Sequence, residues 1–254
     1  MNTQRVLVTA GASGIGREIA RSFAAAGAKV FVADINEQAL ATLARECPSI
    51  QTGICDVLSR ADIERTVPKA VAALGGLDVL VNNAGISGPT SSVEAFDPDE
   101  WETVMQINLT GTFNVTRLAI PFLKQSHAGS IIVMSSVAGR FGYPNRSAYS
   151  ASKWGLVGFT KTLSRELGDF GIRVNAILPG AVAGARMEGV LEGRAKLSGR
   201  TLEEERKDAM SIQSLKRFVD PGDIAALAVF IASDAGKSIS GQTLNIDNDL
   251  QKAS

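Results

Sequence analysis

The first 80 residues alternate short apolar segments with segments in which apolar residues recur at helical spacing. Two parallel strands need a crossover connection, usually a helix, so this alternation predicts a parallel sheet covered by helices on both faces. The predicted strands are residues 4–9, 29–33, 50–54 and 78–81, and the predicted helices are residues 14–26, 37–46 and 61–73.

The second half of the chain continues the same pattern. Its predicted strands are residues 130–134, 173–178 and 243–246, and its predicted helices are residues 98–124, 148–169 and 221–233, with Pro121 as a candidate break in the first. Residues 185–216 are charged and lack strand features, which marks them as a candidate substrate segment. No linker, repeat or charge run divides the chain. The sequence therefore predicts one α/β domain over residues 1–254, doubly wound around a mostly parallel seven-stranded sheet.

Charge and composition exclude several classes of function. Lysine plus arginine equal aspartate plus glutamate at 26 each, which leaves no basic footprint for nucleic acid or an anionic membrane. No apolar run reaches the roughly 18 residues of a membrane helix, and the apolar stretch at residues 6–9 is too short for a signal-peptide core. Cys47 and Cys55 have no metal-ligand spacing. We expect a cytoplasmic protein with reduced cysteines, no metal site and a small-molecule substrate.

Three glycines separate the first predicted strand from the first helix: Gly11, Gly14 and Gly16. Glycines at this place let the backbone turn sharply and approach a pyrophosphate, and the helix N-terminus offers free N–H groups to its charge. The alternative is a plain strand-to-helix turn. Because the triplet opens the first crossover unit of the chain, it predicts a dinucleotide site.

Asp34 ends the second strand, about 20 residues after the glycines. A carboxylate there can accept hydrogen bonds from the adenosine ribose and would repel the additional phosphate of NADP. Neither the turn nor residues 35 and 36 contain a lysine or arginine that could offset it. The alternative is a solvated aspartate at a strand end. We predict NAD as the cofactor.

Tyr149 and Lys153 stand four residues apart within a predicted helix, so both side chains lie on one face. A neighbouring ammonium favours the phenolate form of a tyrosine. Such a tyrosine can take a proton from an alcohol or return it to a carbonyl. On spacing alone, an ordinary exposed pair would be the better interpretation.

Several motifs in the right order identify the chain as similar to the short-chain dehydrogenase/reductase family, over essentially its whole length. They are TAGASGIG at residues 9–16, NNAG at residues 82–85, Asn108 in NLTG, Ser136, Tyr149 with Lys153, and Pro179-Gly180. The resemblance implies a Rossmann-type fold and a homotetramer built through the long helices.

The resemblance also implies four catalytic roles. Tyr149 would be the acid/base, and Lys153 would favour its phenolate form and bind the nicotinamide ribose. Ser136 would hold the substrate oxygen and stabilise the charge that develops there. Asn108 would support a water that leads a proton from Lys153 to solvent.

The remaining residues that the resemblance implies are cofactor contacts. Asp56 would contact the adenine, Asn83 and Gly85 the adenosine-ribose side, and Pro179 and Val182 the nicotinamide. Further contacts are implied at Ser13, Ile15, Val57, Ala84 and Gly180.

The chain departs from the family pattern at three places. Ala10 replaces the first glycine of the turn, and because alanine tolerates positive φ poorly we expect the turn to shift slightly. Gly184 stands where many members carry a threonine that meets the nicotinamide carboxamide. Residues 245–249 (NIDND) replace the common Asp-Gly-Gly. Near Gly184, Arg186 is either a candidate grip for a substrate carboxylate or phosphate, or a solvent-facing side chain.

The leading hypothesis is an NAD-dependent dehydrogenase that acts on a secondary alcohol of a sugar, polyol or hydroxy acid. A 3-oxoacyl thioester reductase is the second enzyme hypothesis, although such an enzyme usually prefers NADP and carries a basic residue near the ribose. A non-catalytic dinucleotide sensor is the alternative from another class, and it would usually lack part of the catalytic set. Specificity would lie in the loops at residues 86–97, 137–147 and 181–216.

Overall fold

The computed structural model describes residues 3–252, and seven strands form one sheet in which every described pair is parallel. The strands are β1 (Arg5–Thr9), β2 (Lys29–Asp34), β3 (Ile50–Ile54), β4 (Val79–Asn82), β5 (Ser130–Met134), β6 (Arg173–Pro179) and β7 (Thr243–Ile246). Their order across the sheet is β3-β2-β1-β4-β5-β6-β7, which reverses direction between β1 and β4. The predicted doubly wound α/β class is confirmed, and the reversal marks the edge where ligands bind in such sheets.

Helices cover both faces of the sheet. They are α1 (Gly14–Ala25), α2 (Glu37–Glu46), α3 (Arg60–Leu74), α4 (Pro98–Met105), α5 (Thr112–Leu123), α6 (Ser147–Glu166), α7 (Ala185–Ser198), α8 (Leu202–Ser211) and α9 (Pro221–Ala232). In β1, Val6 and Val8 pack against the core beneath α1, α2 and α9, while Leu7 packs against the core beneath α3, α5 and α6. Burial on both faces explains why the strands read as near-continuous apolar runs. Among residues 3–252, no helix is long and apolar enough to cross a membrane.

The prediction of one long helix over residues 98–124 needs correction. The helical path is continuous, but the six residues Gln106–Gly111 form a π-helical segment between α4 and α5. Within it the backbone carbonyl of Asn108 accepts a hydrogen bond from Thr112 Oγ1 at 2.8 Å. Pro121, the candidate break, lies within the last turn of α5. The irregularity therefore falls at a candidate site residue, as π segments often do.

The charged segment 185–216 contains α7 and α8 rather than an extended loop. A capping box at the start of α8 joins Thr201 and Glu204, each side chain bonding the backbone of the other. A small apolar cluster of Met187, Leu191 and Ala209 holds the two helices together. Their many charged residues hide the helical periodicity, so the sequence alone does not predict these two helices.

Candidate active site

A cavity of about 460 Å³ opens at the carboxyl ends of the parallel strands. Residues that end or follow β1, β2, β4, β5 and β6 line it, and α7 and α8 supply further lining residues. Between β2 and β5 lie three strand spacings, roughly 14 Å. The cavity thus spans both halves of the sheet across the point where the strand order reverses.

The turn between β1 and α1 forms the floor of one half of this cavity. Ala10 adopts φ 48° and Gly14 φ 51°, so both residues take the left-handed conformation, and the slight shift of the turn expected at Ala10 stays a prediction. That conformation costs an L-residue about 1–2 kcal/mol. A Cβ on Gly16 would lie 2.4 Å from the backbone oxygen of Ala10, so only glycine fits there.

The first turn of α1 exposes backbone donors to the cavity. Ser13 is the N-cap residue, yet its side chain makes no capping hydrogen bond. Ser13, Gly14 and Ile15 all line the cavity. The N–H groups at this helix start are free of a side-chain cap and face the cavity, so they can bind the pyrophosphate of a dinucleotide.

Thr9 and Asn83 fasten the turn to the strand beside it. Thr9 Oγ1 accepts the backbone N–H groups of Asn83 and Ala84 at 3.0 and 3.2 Å. The side-chain amide of Asn83 donates in return to the carbonyls of Thr9 and Ala10. Ala84 is buried, so this part of the NNAG motif fixes the turn's shape.

Asp34 lies at the end of β2 and also lines the cavity, with 8% of its surface exposed. Its two oxygens accept the backbone N–H groups of Ala12, at 2.9 Å, and Asn36, at 3.0 Å. A carboxylate has about four acceptor positions, so two remain for hydroxyl groups. Arg17, the first basic residue after the turn, forms an ion pair with Glu46.

Tyr149 and Lys153 project from α6 into the other half of the cavity. Lys153 is only 3% exposed, and its Nζ lies 5.5 Å from the centroid of the Tyr149 ring. Nζ donates to the carbonyl of Met134 at 2.8 Å. Burial, together with the charge of Arg186, lowers the pKa of Lys153 to about 7.

Ser136 follows β5 and lines the cavity beside Tyr149 and Lys153. Its Oγ accepts the backbone N–H of Ala138 at 3.1 Å, which leaves the hydroxyl hydrogen free to donate elsewhere. The neighbouring Ser135 Oγ donates to the carbonyl of Lys153 at 2.9 Å. This contact joins α6 to the end of β5, so it holds Ser136 close to Tyr149 and Lys153.

Asn108 is fully buried and lies behind the cavity rather than in its lining. Its Oδ1 accepts the Ile86 N–H at 2.8 Å, and its Nδ2 donates to the Ile86 carbonyl and to Ser152 Oγ. The side chain therefore ties the π segment to α6 and to the loop that follows β4. A Cβ on Gly85 would lie 3.1 Å from Asn108 Oδ1 and 3.4 Å from Lys153 Nζ, so Gly85 permits their approach.

Pro179, Gly180 and Val182 line the cavity where β6 ends. Gly180 packs so closely against Asp247 that a Cβ would lie 2.8 Å from its Cα. Gly184 adopts φ 132°, a conformation that L side chains rarely take. A threonine at this position would be strained, so the departure from the family pattern matches the backbone found here.

The remaining expected cofactor contacts lie outside the lining of the cavity: Gly11, Gly16, Asp56, Val57, Ala84 and Gly85. Gly11 packs against Val32, and Val57 packs against Gly111. Asp56 lies in the loop after β3, where its Oδ1 accepts the N–H of Leu58. Direct contact of these residues with a cofactor stays a prediction.

The sequence assigns no individual role to Tyr143, Arg146 or Arg194, yet all three line the cavity, within the segments 137–147 and 181–216 where specificity is expected. Arg146 stands three residues before Tyr149, and Arg194 lies on α7 two turns after Arg186. Those spacings are visible in the sequence, but only the folded chain shows that the three side chains line the cavity.

Comparison with known proteins agrees with this architecture. A family model described as short chain dehydrogenase matches residues 4–194. The chain is 37% identical to a D-beta-hydroxybutyrate dehydrogenase of Cupriavidus necator, with 97% of each chain covered. It is 36% identical to a 3-oxoacyl-[acyl-carrier-protein] reductase of Thermotoga maritima, with 96% of each covered.

Two solved structures have the same fold over nearly the whole chain. An actinorhodin polyketide ketoreductase with NADPH superposes with a TM-score of 0.93 at 33% identity, covering 97% of both chains. An NAD+-bound xylitol dehydrogenase superposes with a TM-score of 0.92 at 28% identity, covering 96% of this chain and 97% of that one. The chain described here belongs to the short-chain dehydrogenase/reductase family of dinucleotide-binding oxidoreductases.

Proposed function

We propose that this protein is an NAD(H)-dependent oxidoreductase that interconverts a secondary alcohol and a ketone on a small polar substrate, with residues 1–254 acting as one catalytic domain. The observation that carries the proposal is a single cavity lined by Ser136, Tyr149 and Lys153 on one side and by Asp34 and the uncapped start of α1 on the other. When bound, a nicotinamide supplies the acceptor or donor of hydride.

The proton chemistry falls to Tyr149. In the oxidative direction its phenolate oxygen takes the proton of the substrate hydroxyl, and in the reductive direction its phenol gives a proton to the carbonyl oxygen. The free hydroxyl hydrogen of Ser136 is available to hold the substrate oxygen. Lys153 donates one N–H to the carbonyl of Met134, and its other N–H groups are available to the nicotinamide ribose and to the oxygen of Tyr149. With a pKa of about 7, it exchanges protons near neutral pH.

Asn108 acts in this proposal as a positioning residue. Both ends of its amide bond the Ile86 backbone, and Nδ2 also bonds Ser152 Oγ. It therefore holds the π segment and α6 at a fixed separation beside Lys153. The water relay expected at this residue stays a prediction.

Asp34 supports NAD over NADP. The buried carboxylate faces the cavity, no basic residue occupies positions 10–16, 35 or 36, and Arg17 is paired with Glu46. An additional phosphate at the ribose would meet this negative charge without a compensating cation. The relatives include proteins named for NADPH and for NAD+, so the choice rests on these residues.

The substrate proposal is a sugar, polyol or hydroxy acid. The hydroxybutyrate and xylitol dehydrogenase relatives support this range by name. The 3-oxoacyl reductase relative supports a thioester ketone as the second candidate, against which Asp34 argues through the cofactor. A non-catalytic sensor is the weakest candidate because Asn108, Ser136, Tyr149 and Lys153 are all present.

The test combines binding and turnover. We expect NADH to bind at least tenfold more tightly than NADPH in a fluorescence titration, and some member of a panel of sugars, polyols and hydroxy acids to reduce NAD+. Tyr149→Phe should lower turnover by about 10²–10⁴ while NADH affinity stays within about twofold. Tighter binding of NADPH would refute the cofactor assignment, and NADH binding without turnover of any alcohol or ketone would favour a sensor. The homotetramer and the cytoplasmic location also stay predictions.

A further inference from the structure

The segment between α8 and α9, residues 212–219, is bonded on both of its sides to other parts of the chain. We call it the connecting strip. On one side Val219 pairs in parallel with Val182, which follows β6. On the other side Gln213 pairs antiparallel with Leu250, in the loop after β7. The connecting strip therefore joins the loop after β6 to the loop after β7.

The side chains of Asn248 and Asp249 add further bonds between the loop after β7 and the connecting strip. Asn248 Nδ2 donates to the carbonyl of Arg217 at 2.7 Å and to Gln213 Oε1 at 3.3 Å. Asp249 Oδ2 accepts the hydroxyl of Ser214. The backbone carbonyls of both loop residues also accept the N–H of Ser214, at 3.0 and 3.3 Å. Two consecutive residues thus hold the strip through backbone and side chain.

The backbone of the same two residues is left-handed, since Asn248 and Asp249 each adopt φ 56°. Residues other than glycine rarely take this conformation, although asparagine and aspartate do so most readily. Glycine would adopt it with less strain but would make none of the side-chain bonds. The residue types found here therefore match bonding to the connecting strip, and not backbone freedom alone.

Both segments that these bonds join supply lining of the cavity. Ile212 begins the connecting strip, Leu250 directly follows Asp249, and both line the cavity, as does Val182 on the far side of the strip. Leu250 is buried. Because the charged segment 185–216 ends within the strip, the bonds to the loop after β7 also fix where the end of α8 lies.

We propose that Asn248 and Asp249 are positioning residues, which hold the connecting strip in place and thereby fix the cavity wall formed by Ile212 and Leu250. This inference rests on the proposed function, in which a substrate occupies the cavity beside Tyr149. A functional site keeps its shape only when the residues behind it are themselves held in place. Loss of the side-chain bonds moves the wall and leaves Tyr149 unchanged, so substrate affinity falls more than the rate of proton transfer.

The first test needs no substrate. The protein is saturated with NADH, or with NADPH if that dinucleotide binds more tightly, and digested with trypsin. Mass spectrometry follows cleavage after Lys216 and Arg217, which are exposed in the connecting strip. Cleavage of a folded protein reports local opening of the chain. Asn248→Gly suits φ 56° and removes both side-chain bonds, so we expect this cleavage to rise at least fivefold, at an unchanged rate after Lys69 in α3.

Two further comparisons separate the side-chain bonds from backbone flexibility. Ser214→Ala removes the hydroxyl that Asp249 accepts and leaves the loop after β7 unaltered, so cleavage should also rise. Combined with Asp249→Gly, it should add less than twofold to the effect of Asp249→Gly alone. Asn145→Gly is the matched control, because Asn145 also adopts a positive φ, 59°, but lies before α6; cleavage in the strip should stay within twofold of wild type.

The second test is turnover of whichever panel substrate reduces NAD+. We expect Asn248→Gly and Asp249→Gly to raise KM for that substrate at least fivefold, with kcat within threefold and NADH affinity within twofold of wild type. A residue that only supported overall stability would not divide KM from kcat in this way.

Three results would overturn the inference: unchanged cleavage in the connecting strip, cleavage that rises equally after Lys69, or a kcat that falls while KM stays constant. The two tests also separate this inference from the proposed function. If no alcohol or ketone is turned over, the proposed function fails, and cleavage alone decides whether the two residues hold the strip. Turnover with an unchanged KM in variants whose strip is cleaved faster would leave the function standing and refute the role of the wall.

Discussion

Replacing Lys153 with methionine tests the electrostatics of the candidate site through the stability of the protein. The lysine is 3% exposed, and its pKa falls from 10.5 to about 7 on folding. Methionine keeps the length of the apolar stem and removes the charge. Because folding disfavours the ammonium, the wild-type protein carries a burial cost that Lys153→Met does not.

The pH dependence of that cost follows from the two pKa values. Below pH 7 both folded and unfolded chains hold the proton, so the whole cost is present. Between pH 7 and 10.5 the unfolded chain binds the proton and the folded chain does not, so wild-type stability rises with pH. At about 1.4 kcal/mol per pKa unit, the cost is on the order of 4 kcal/mol at pH 7 and about 2 kcal/mol at pH 9.

The assay is urea unfolding of both proteins, without dinucleotide and at equal concentration, at pH 7, 8 and 9. Loss of the bond to the Met134 carbonyl lowers the stability of Lys153→Met by a pH-independent amount, about 1 kcal/mol, so the change between pH values is the informative quantity. We expect wild type to gain about 2 kcal/mol relative to the variant between pH 7 and 9.

Lys161→Met is the matched control, since Lys161 is an exposed lysine on the same helix. Its stability difference from wild type should stay constant within about 0.5 kcal/mol across the series. A Lys153→Met difference that is equally flat would refute the lowered pKa of Lys153 and its part in proton exchange near neutral pH.

Three further predictions concern the cofactor half of the cavity. Asp34→Asn keeps an acceptor and removes the charge, so the NADH-to-NADPH ratio of binding constants should fall at least tenfold; an unchanged ratio would show that the carboxylate does not select the cofactor. Gly16→Ala places a Cβ 2.4 Å from the Ala10 carbonyl oxygen, so we expect the free energy of unfolding to fall by about 1–3 kcal/mol and NADH to bind more weakly. Wild-type stability together with wild-type NADH affinity would contradict this close approach. Thr9→Val removes an oxygen that accepts the backbone N–H groups of Asn83 and Ala84, so urea unfolding should show a free energy of unfolding that is lower by about 1–3 kcal/mol. An unchanged free energy of unfolding would mean that water replaces the oxygen.

The order of strands and helices was predictable from the sequence. Strands that are buried on both faces are continuous apolar runs, and the helices between them show apolar residues at helical spacing. The dinucleotide turn was predictable for a similar reason. The roles of its glycines and of the strand-end carboxylate depend on where they stand relative to the first two strands, and the sequence shows that directly. At Ala10 the residue type predicts a slightly shifted turn, and the structure shows that this alanine adopts φ 48°.

By itself the sequence determined the doubly wound sheet, the glycine turn, the place of Asp34 and the pairing of Tyr149 with Lys153, since each depends on residues close together in the chain or on a regular period. Only the tertiary structure decided that Lys153 is buried against Met134, that the helix before α5 relaxes into a π segment at Asn108, and that Arg146 and Arg194 meet at Tyr143. The Lys153–Met134 and Arg194–Tyr143 contacts join residues 19 and 51 positions apart, and Asn108 bonds Ser152, 44 positions away. Direction and burial at such distances are set by how the loops pack, which local patterns do not record.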